Sequence, residues 1–212
     1  DLFCIMELRA FDAVIFDLGG VILNIDYQKT ANAFKELGLD SFDEMYSQAT
    51  QSGLFDRFEV GEISSPFFLN QLLNYLPRTT TANQLVTAWN AMLLNFPPEN
   101  LTFLKEVNKL KKTFLLSNTN EIHIQAFHRK LRQQTGENSL KSYFNQVYFS
   151  NEIGKRKPNP ETFQYVCDEN KLNPSSTLFI DDSIQHIEGA KQIGLQTFHF
   201  QNQVPLSQLF TL

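Results

Sequence analysis

The stretch Ala13-Val14-Ile15-Phe16-Asp17-Leu18-Gly19-Gly20-Val21 runs from an apolar segment straight into an acid and a glycine pair. The segment has no polar–apolar alternation, which predicts a strand buried on both faces, as in a parallel sheet. Similar runs recur at residues 113–116, 146–149, 177–180 and 196–200. Helical patterns separate them. Residues 120–134 place Ile124, Phe127 and Leu131 on one face. Asn159-Pro160 predicts a helix start, with Asn as N-cap and Pro at the first helical position. Ser183 opens a third helix whose stripe is Ile184, Ile187, Ala190 and Ile193, with Gly194 as its stop. Alternating strands and helices predict an α/β fold with a doubly wound, Rossmann-like parallel sheet.

Residues 27–96 break that rhythm. They hold only helix-like pieces, at 27–37, 42–51, 65–76 and 81–94, punctuated by Pro66, Pro77 and Pro97. The expected organisation is therefore an α/β catalytic core of residues 1–26 and 97–212, with a small helical cap at 27–96 inserted after the first strand. A helix over Pro98–Leu110 returns the chain to the sheet. The 212 residues suffice for a sizeable buried core. Eighteen Lys and Arg against 23 Asp and Glu give a net charge of −5, which disfavours a nucleic-acid partner. No apolar run approaches the ~18 residues of a membrane span, and Leu2 to Met6 is too short for a signal peptide. Cys4 and Cys167 suggest no disulfide framework, which fits a reducing, cytoplasmic setting. Whether the chain acts as a monomer or a homodimer is not legible.

Four polar clusters follow the carboxyl ends of four of these strands: Asp17, Ser117-Asn118, Lys157 and Asp181-Asp182. In open α/β sheets that edge is where ligands bind. Three carboxylates cannot stay ionised side by side without a cation, and all-oxygen ligands suit Mg²⁺. A hard cation with Lys, Ser and Asn donors matches the needs of a phosphoryl group. One carboxylate is then available to attack phosphorus.

Taken together, Phe16-Asp17-Leu18-Gly19-Gly20-Val21 resembles the first motif of the haloacid dehalogenase-like hydrolase superfamily. Ser117-Asn118 resembles its second motif, and Gly154-Lys155-Arg156-Lys157-Pro158-Asn159-Pro160 its third. Phe179-Ile180-Asp181-Asp182-Ser183 with Gly189-Ala190 resembles the fourth. The order is right and nearly the whole chain is covered. The likeness is to the phosphatase branch with a helical cap, including sugar-phosphate phosphatases of the glucose-1-phosphate type. It implies an Mg²⁺-dependent phosphatase acting on a small phosphorylated metabolite through an aspartyl-phosphate on Asp17. It further implies that Asp17, the Gly19 backbone carbonyl and Asp182 hold the metal, with Asp181 in support. Ser117 would bind the phosphoryl with Asn118 beside it, and Lys157 would stabilise the nucleophile and the developing charge.

Two positions depart from the pattern. Gly19 stands where most phosphatases of the family carry a second Asp as general acid, help worth roughly 10²–10⁴-fold. His186 stands where Asn is common, and either packs, caps or supplies a proton. Two other functions fit parts of the sequence. A carbon–halogen hydrolase would use the same Asp without a metal, but the Asp181-Asp182 pair opposes it. A catalytically weak member serving as a binding or scaffold protein is suggested by Gly19. His123 and His128 are spaced poorly for a metal pair and read as structural, as does His199. Phe58, Phe67, Phe68 and Trp89 read as packing residues; a run such as Lys155-Arg156-Lys157, taken alone, would read as a solvated loop.

Overall fold

In the computed structural model, residues 6–39, 41–201 and 204–211 are described. The expectations for Leu2 to Ile5, Cys4 among them, lie outside that range. The first described elements are β1 (Met6–Glu7) and β2 (Ala13–Phe16), followed by five helices. These are α1 (Tyr27–Glu36), α2 (Phe42–Gln51), α3 (Leu54–Glu59), α4 (Ser65–Leu73) and α5 (Ala82–Asn90). Then come α6 (Pro98–Leu110), β3 (Lys112–Ser117), α7 (Glu121–Thr135), β4 (Gln146–Phe149), α8 (Ser150–Ile153) and α9 (Pro160–Asn170). The last elements are β5 (Thr177–Asp181), α10 (Ile184–Lys191), β6 (Gln196–His199), α11 (Leu206–Leu209) and β7 (Phe210–Thr211).

Five strands form one parallel sheet in the order β4-β3-β2-β5-β6. The fold is thus an α/β sandwich about a parallel sheet. All four residues of β2 are buried, because β2 is central and helices cover both faces. Val14 and Phe16 pack into one core layer with α6 and α7, and Ala13 and Ile15 into the other with α9 and α10. A two-stranded parallel pair, β1 with β7, adds a second small sheet.

Helices α1 to α5 bury a separate apolar cluster that includes Phe34, Phe55, Phe58, Phe68, Leu85 and Trp89. Thr30 ties α1 to α5: its hydroxyl donates to the Ala88 carbonyl (2.9 Å) and accepts from the Met92 N–H (3.0 Å). The two segments joining these helices to the sheet layer are stitched together. Asn24 N–H donates to the Asn95 carbonyl (3.0 Å), Leu94 N–H to Asn24 (2.9 Å) and Asp26 N–H to Met92 (2.9 Å).

Several local expectations need correction. Asn159 is the N-cap of α9 with Pro160 at its first position, as expected, but its side chain makes no cap bond; its backbone carbonyl accepts from the Thr162 N–H (2.9 Å). Ser183 is the N-cap of α10, as expected, although its hydroxyl makes no cap bond; its N–H donates to the Asp181 carboxylate (2.8 Å). Ile184 is 53% exposed, since the first turn of α10 stands at the sheet edge beyond the covering layer. Phe67 is exposed rather than packed, on the outer face of α4. Arg156 is no solvated loop residue but an ion-paired one, as described below. No described helix is long and apolar enough to cross a membrane.

Candidate active site

The register of the sheet assembles the site. Phe16 pairs with Ile180 across β2 and β5, so the next residue on each strand brings Asp17 beside Asp181. Asp17 N–H donates to the Ile180 carbonyl (2.9 Å), which holds this alignment one residue past β2. Ser117 ends β3 on the other flank of β2. Asp182 follows β5 directly, at the head of α10.

Lys157 reaches this edge from the turn between α8 and α9 and is fully buried. Its Nζ donates to Asp17 Oδ1 (2.7 Å) and to Asp181 Oδ2 (2.6 Å). A buried ammonium is tolerated only when its charge is met, and here two carboxylates meet it. Asn118 clamps the lysine in place. Its amide oxygen accepts from the Lys157 N–H (2.9 Å) and its amide nitrogen donates to the Lys157 carbonyl (2.8 Å). That positioning role was not legible in the sequence, because it links residues 39 apart.

Three carboxylates crowd one lysine. Asp17, Asp181 and Asp182 each offer an oxygen, and these oxygens lie within 4.8 Å of one another. With one ammonium against three carboxylates the cluster carries a formal charge of 1 − 3 = −2. Burial pushes the Asp17 carboxyl up to about 7, with the Lys157 charge opposing and Asp181 adding. Burial also acts to raise Asp181, but Lys157 and a hydrogen bond from His186 outweigh it and bring the group down to about 2. Asp182 is raised by burial and by the Asp181 charge. Desolvation works against the Lys157 charge, yet its two carboxylate partners hold its pKa above the ordinary value.

The donor set fits a divalent, oxygen-seeking cation such as Mg²⁺: it is anionic by two charges and contains no sulfur. Gly19 lines the cavity beside this cluster, and its carbonyl oxygen takes no hydrogen bond from the described residues. Gly20 lies at φ 77°, and a Cβ there would collide with the Asp182 carboxylate. Only glycine lets the backbone pass this close to the acidic cluster.

Asp17, Gly19, Ser117, Asn118 and Asp182 all line one cavity of about 360 Å³ between the sheet edge and helices α1 to α5. Lys157 and Asp181 do not line it; they lie behind Asp17 and are fully buried. His186 does, and its Nδ1 stands 3.0 Å from each oxygen of Asp181. A carboxylate only accepts, so Nδ1 carries the proton. His186 therefore orients Asp181 instead of merely filling space.

The far wall contains residues that sequence reasoning did not select: Tyr27, Tyr46, Glu59 and Arg156. Trp89 joins them, both packing in the helical cluster and lining the cavity. Arg156 pairs with Asp56, and its Nη2 lies 2.9 Å from Glu59 Oε2. The second contact is an ion pair by distance without hydrogen-bond alignment, since that oxygen and Arg156 Nε lack an aligned partner among the described residues. Burial raises the Glu59 carboxyl, with Arg156 opposing.

Residues 11–194 match the family model of haloacid dehalogenase-like hydrolases. A D-ribitol-5-phosphate phosphatase of Bacteroides thetaiotaomicron is 31% identical over 199 residues, covering 94% of this chain and 96% of the relative. A solved HAD family enzyme from Bacteroides thetaiotaomicron, in complex with magnesium and inorganic phosphate, superposes with a TM-score of 0.83. It is 29% identical and covers 95% of this chain and all of its own. The L-2-haloacid dehalogenase of Xanthobacter autotrophicus has a TM-score of 0.58 at 22% identity, covering 88% of this chain and 76% of its own, a likeness of fold alone.

Proposed function

The chain belongs to the haloacid dehalogenase-like hydrolase family, and from that membership we propose that it is an Mg²⁺-dependent phosphatase of a small phosphorylated metabolite, a sugar or polyol phosphate. The observation that carries this reading is the buried lysine bridging two of three clustered carboxylates beside an open cavity. The ribitol-phosphate phosphatase relative and the magnesium- and phosphate-bound structure of a HAD family enzyme support it. The three-carboxylate cluster also disfavours carbon–halogen hydrolysis, which needs no metal.

In this reading Asp17, the Gly19 carbonyl and Asp182 hold the metal, with Asp181 behind them. When bound, Mg²⁺ supplies the positive charge that lets the carboxylates ionise together and that neutralises phosphoryl oxygens. The protein's own residues do the rest. Lys157 Nζ occupies Asp17 Oδ1, which leaves Oδ2 as the attacking oxygen. Oδ2 forms a bond to phosphorus as the ester P–O bond breaks, and the departing alkoxide takes a proton from water. Water then attacks phosphorus, the Asp17–phosphorus bond breaks, and inorganic phosphate leaves. Ser117, buried at the end of β3 and lining the cavity, donates to a phosphoryl oxygen. Lys157 keeps Asp17 oriented and stabilises the charge that returns to it. Asn118 and His186 act as positioning residues, on Lys157 and Asp181 respectively. Residues 27–96 form a cap over the cavity, shielding the reaction from bulk water.

Acid quench during turnover, followed by peptide mapping, tests the covalent step. A phosphoryl group on the peptide carrying Asp17 is the expected result. Its absence while phosphate is being released would overturn the nucleophile assignment.

A further inference from the structure

We propose that the cavity selects an uncharged, hydroxyl-bearing leaving group and excludes a second anion, with Glu59 as the determining residue. This deepens the phosphatase reading and rests on it. The first support is the fate of the only Lys or Arg among the described residues lining the cavity, Arg156. Its charge is already met from α3, Nη1 by Asp56 and Nη2 by Glu59 at ion-pair distance, while its Nε–H is buried without an aligned partner among the described residues. One cation against two acids leaves this group at 1 − 2 = −1. A carboxylate or second phosphate on the substrate would find no free cation here and would face the charge of Glu59. A hydroxyl meets neither obstacle, because it donates to a carboxylate without bringing charge.

The second support is the uncharged wall beside Glu59. Phe55, Trp89 and His123 form a parallel ring stack, with centroids 5.4 Å and 5.3 Å apart and planes within 3°. His123 Nδ1 lies 2.9 Å from the Asn90 amide oxygen, which can only accept, so Nε2 is left as an acceptor. The Trp89 indole N–H is buried without a partner among the described residues. Flat rings with isolated neutral donors and acceptors suit the C–H and O–H surface of a polyol.

The test compares kcat/KM for phosphate release from a five-carbon alditol 5-phosphate and from the aldonic acid 5-phosphate of equal length. p-Nitrophenyl phosphate serves as a reference substrate. The wild-type protein should favour the alditol ester by roughly tenfold or more, the effect of one unscreened charge contact. Glu59→Gln should narrow that ratio about fivefold, mainly through a lower KM for the acid. Asp56→Asn, which frees Nη1, should narrow it in the same direction and serves if the first variant does not fold. Equal or better use of the acid by the wild type would overturn the proposal, as would an unchanged ratio in either folded variant. Release from none of the three compounds would instead contradict the phosphatase reading itself, and this proposal with it.

Discussion

Gly189→Ala sets two physical effects against each other. Gly189 lies inside α10, where alanine ordinarily stabilises a helix by up to ~1 kcal/mol. Yet a Cβ here would stand 3.0 Å from the Pro158 carbonyl carbon and 3.1 Å from Phe163 Cε2, with the Pro158 oxygen nearer still. Carbon atoms prefer separations of about 3.5–4.0 Å and the carbonyl oxygen is the tightest contact, so the turn carrying Pro158 must retreat by roughly 1 Å or more. Overpacking of this kind costs about 1–3 kcal/mol. Net destabilisation of about 0–3 kcal/mol is therefore expected. The larger effect should be on catalysis, because Lys157 adjoins Pro158 and holds Asp17 at 2.7 Å. A displacement near 1 Å at a reacting group costs about 10²-fold. Urea unfolding and steady-state phosphate release on the same preparations read both quantities. A variant that is more stable than wild type with undiminished kcat would refute the packing argument.

Other perturbations have equally definite outcomes. Gly19→Asp should raise turnover on poor leaving groups, since its Cβ would press only on the terminal methyl of Ile25 (2.8 Å), a flexible end, and pairing it with Ile25→Val should enlarge the gain. No change in the alkyl-to-aryl ester rate ratio would count against a missing general acid. Asn118→Ala should cost about 1–3 kcal/mol, because it strips partners from the backbone of the fully buried Lys157, and should lower kcat more than it changes KM. Unfolding and kinetic measurements check both. Burial pushes His123 down to about 3, so the folded protein binds fewer protons than the unfolded chain below the ordinary value of 6.5. Its contribution to stability is complete above that value and is lost as pH falls toward 3, at about 1 kcal/mol per pH unit. His123→Gln should flatten the stability–pH curve in that window, and an unchanged slope would show that other groups control it.

The elements that the sequence revealed are those whose physics is local. Ala13–Phe16 had to be buried on both faces, and an acid directly after such a strand had to stand at the sheet's carboxyl edge. The strands β1 and β7 are two residues each, too short for any periodicity to register. Helix α3 escaped notice because Gly53, at φ 69°, turns the chain sharply after α2 and only six helical residues follow. Arg156 drew no role of its own from the sequence because its partner Asp56 is 100 residues away. The same holds for the Asn118 clamp on Lys157 and for the ring stack joining α3, α5 and α7. Local pattern identifies which side chains carry chemistry, whereas the groups that orient them come together only by tertiary packing.

The central claim is that Asp17, working with a divalent cation, releases phosphate from a small ester. Its most direct test is phosphate release from a panel of sugar and polyol phosphates, with Mg²⁺ and with EDTA, by the wild-type protein and by Asp17→Asn. The account predicts release only from wild type with Mg²⁺, and folded, inactive Asp17→Asn. Comparable release by Asp17→Asn, or undiminished release in EDTA, would contradict it.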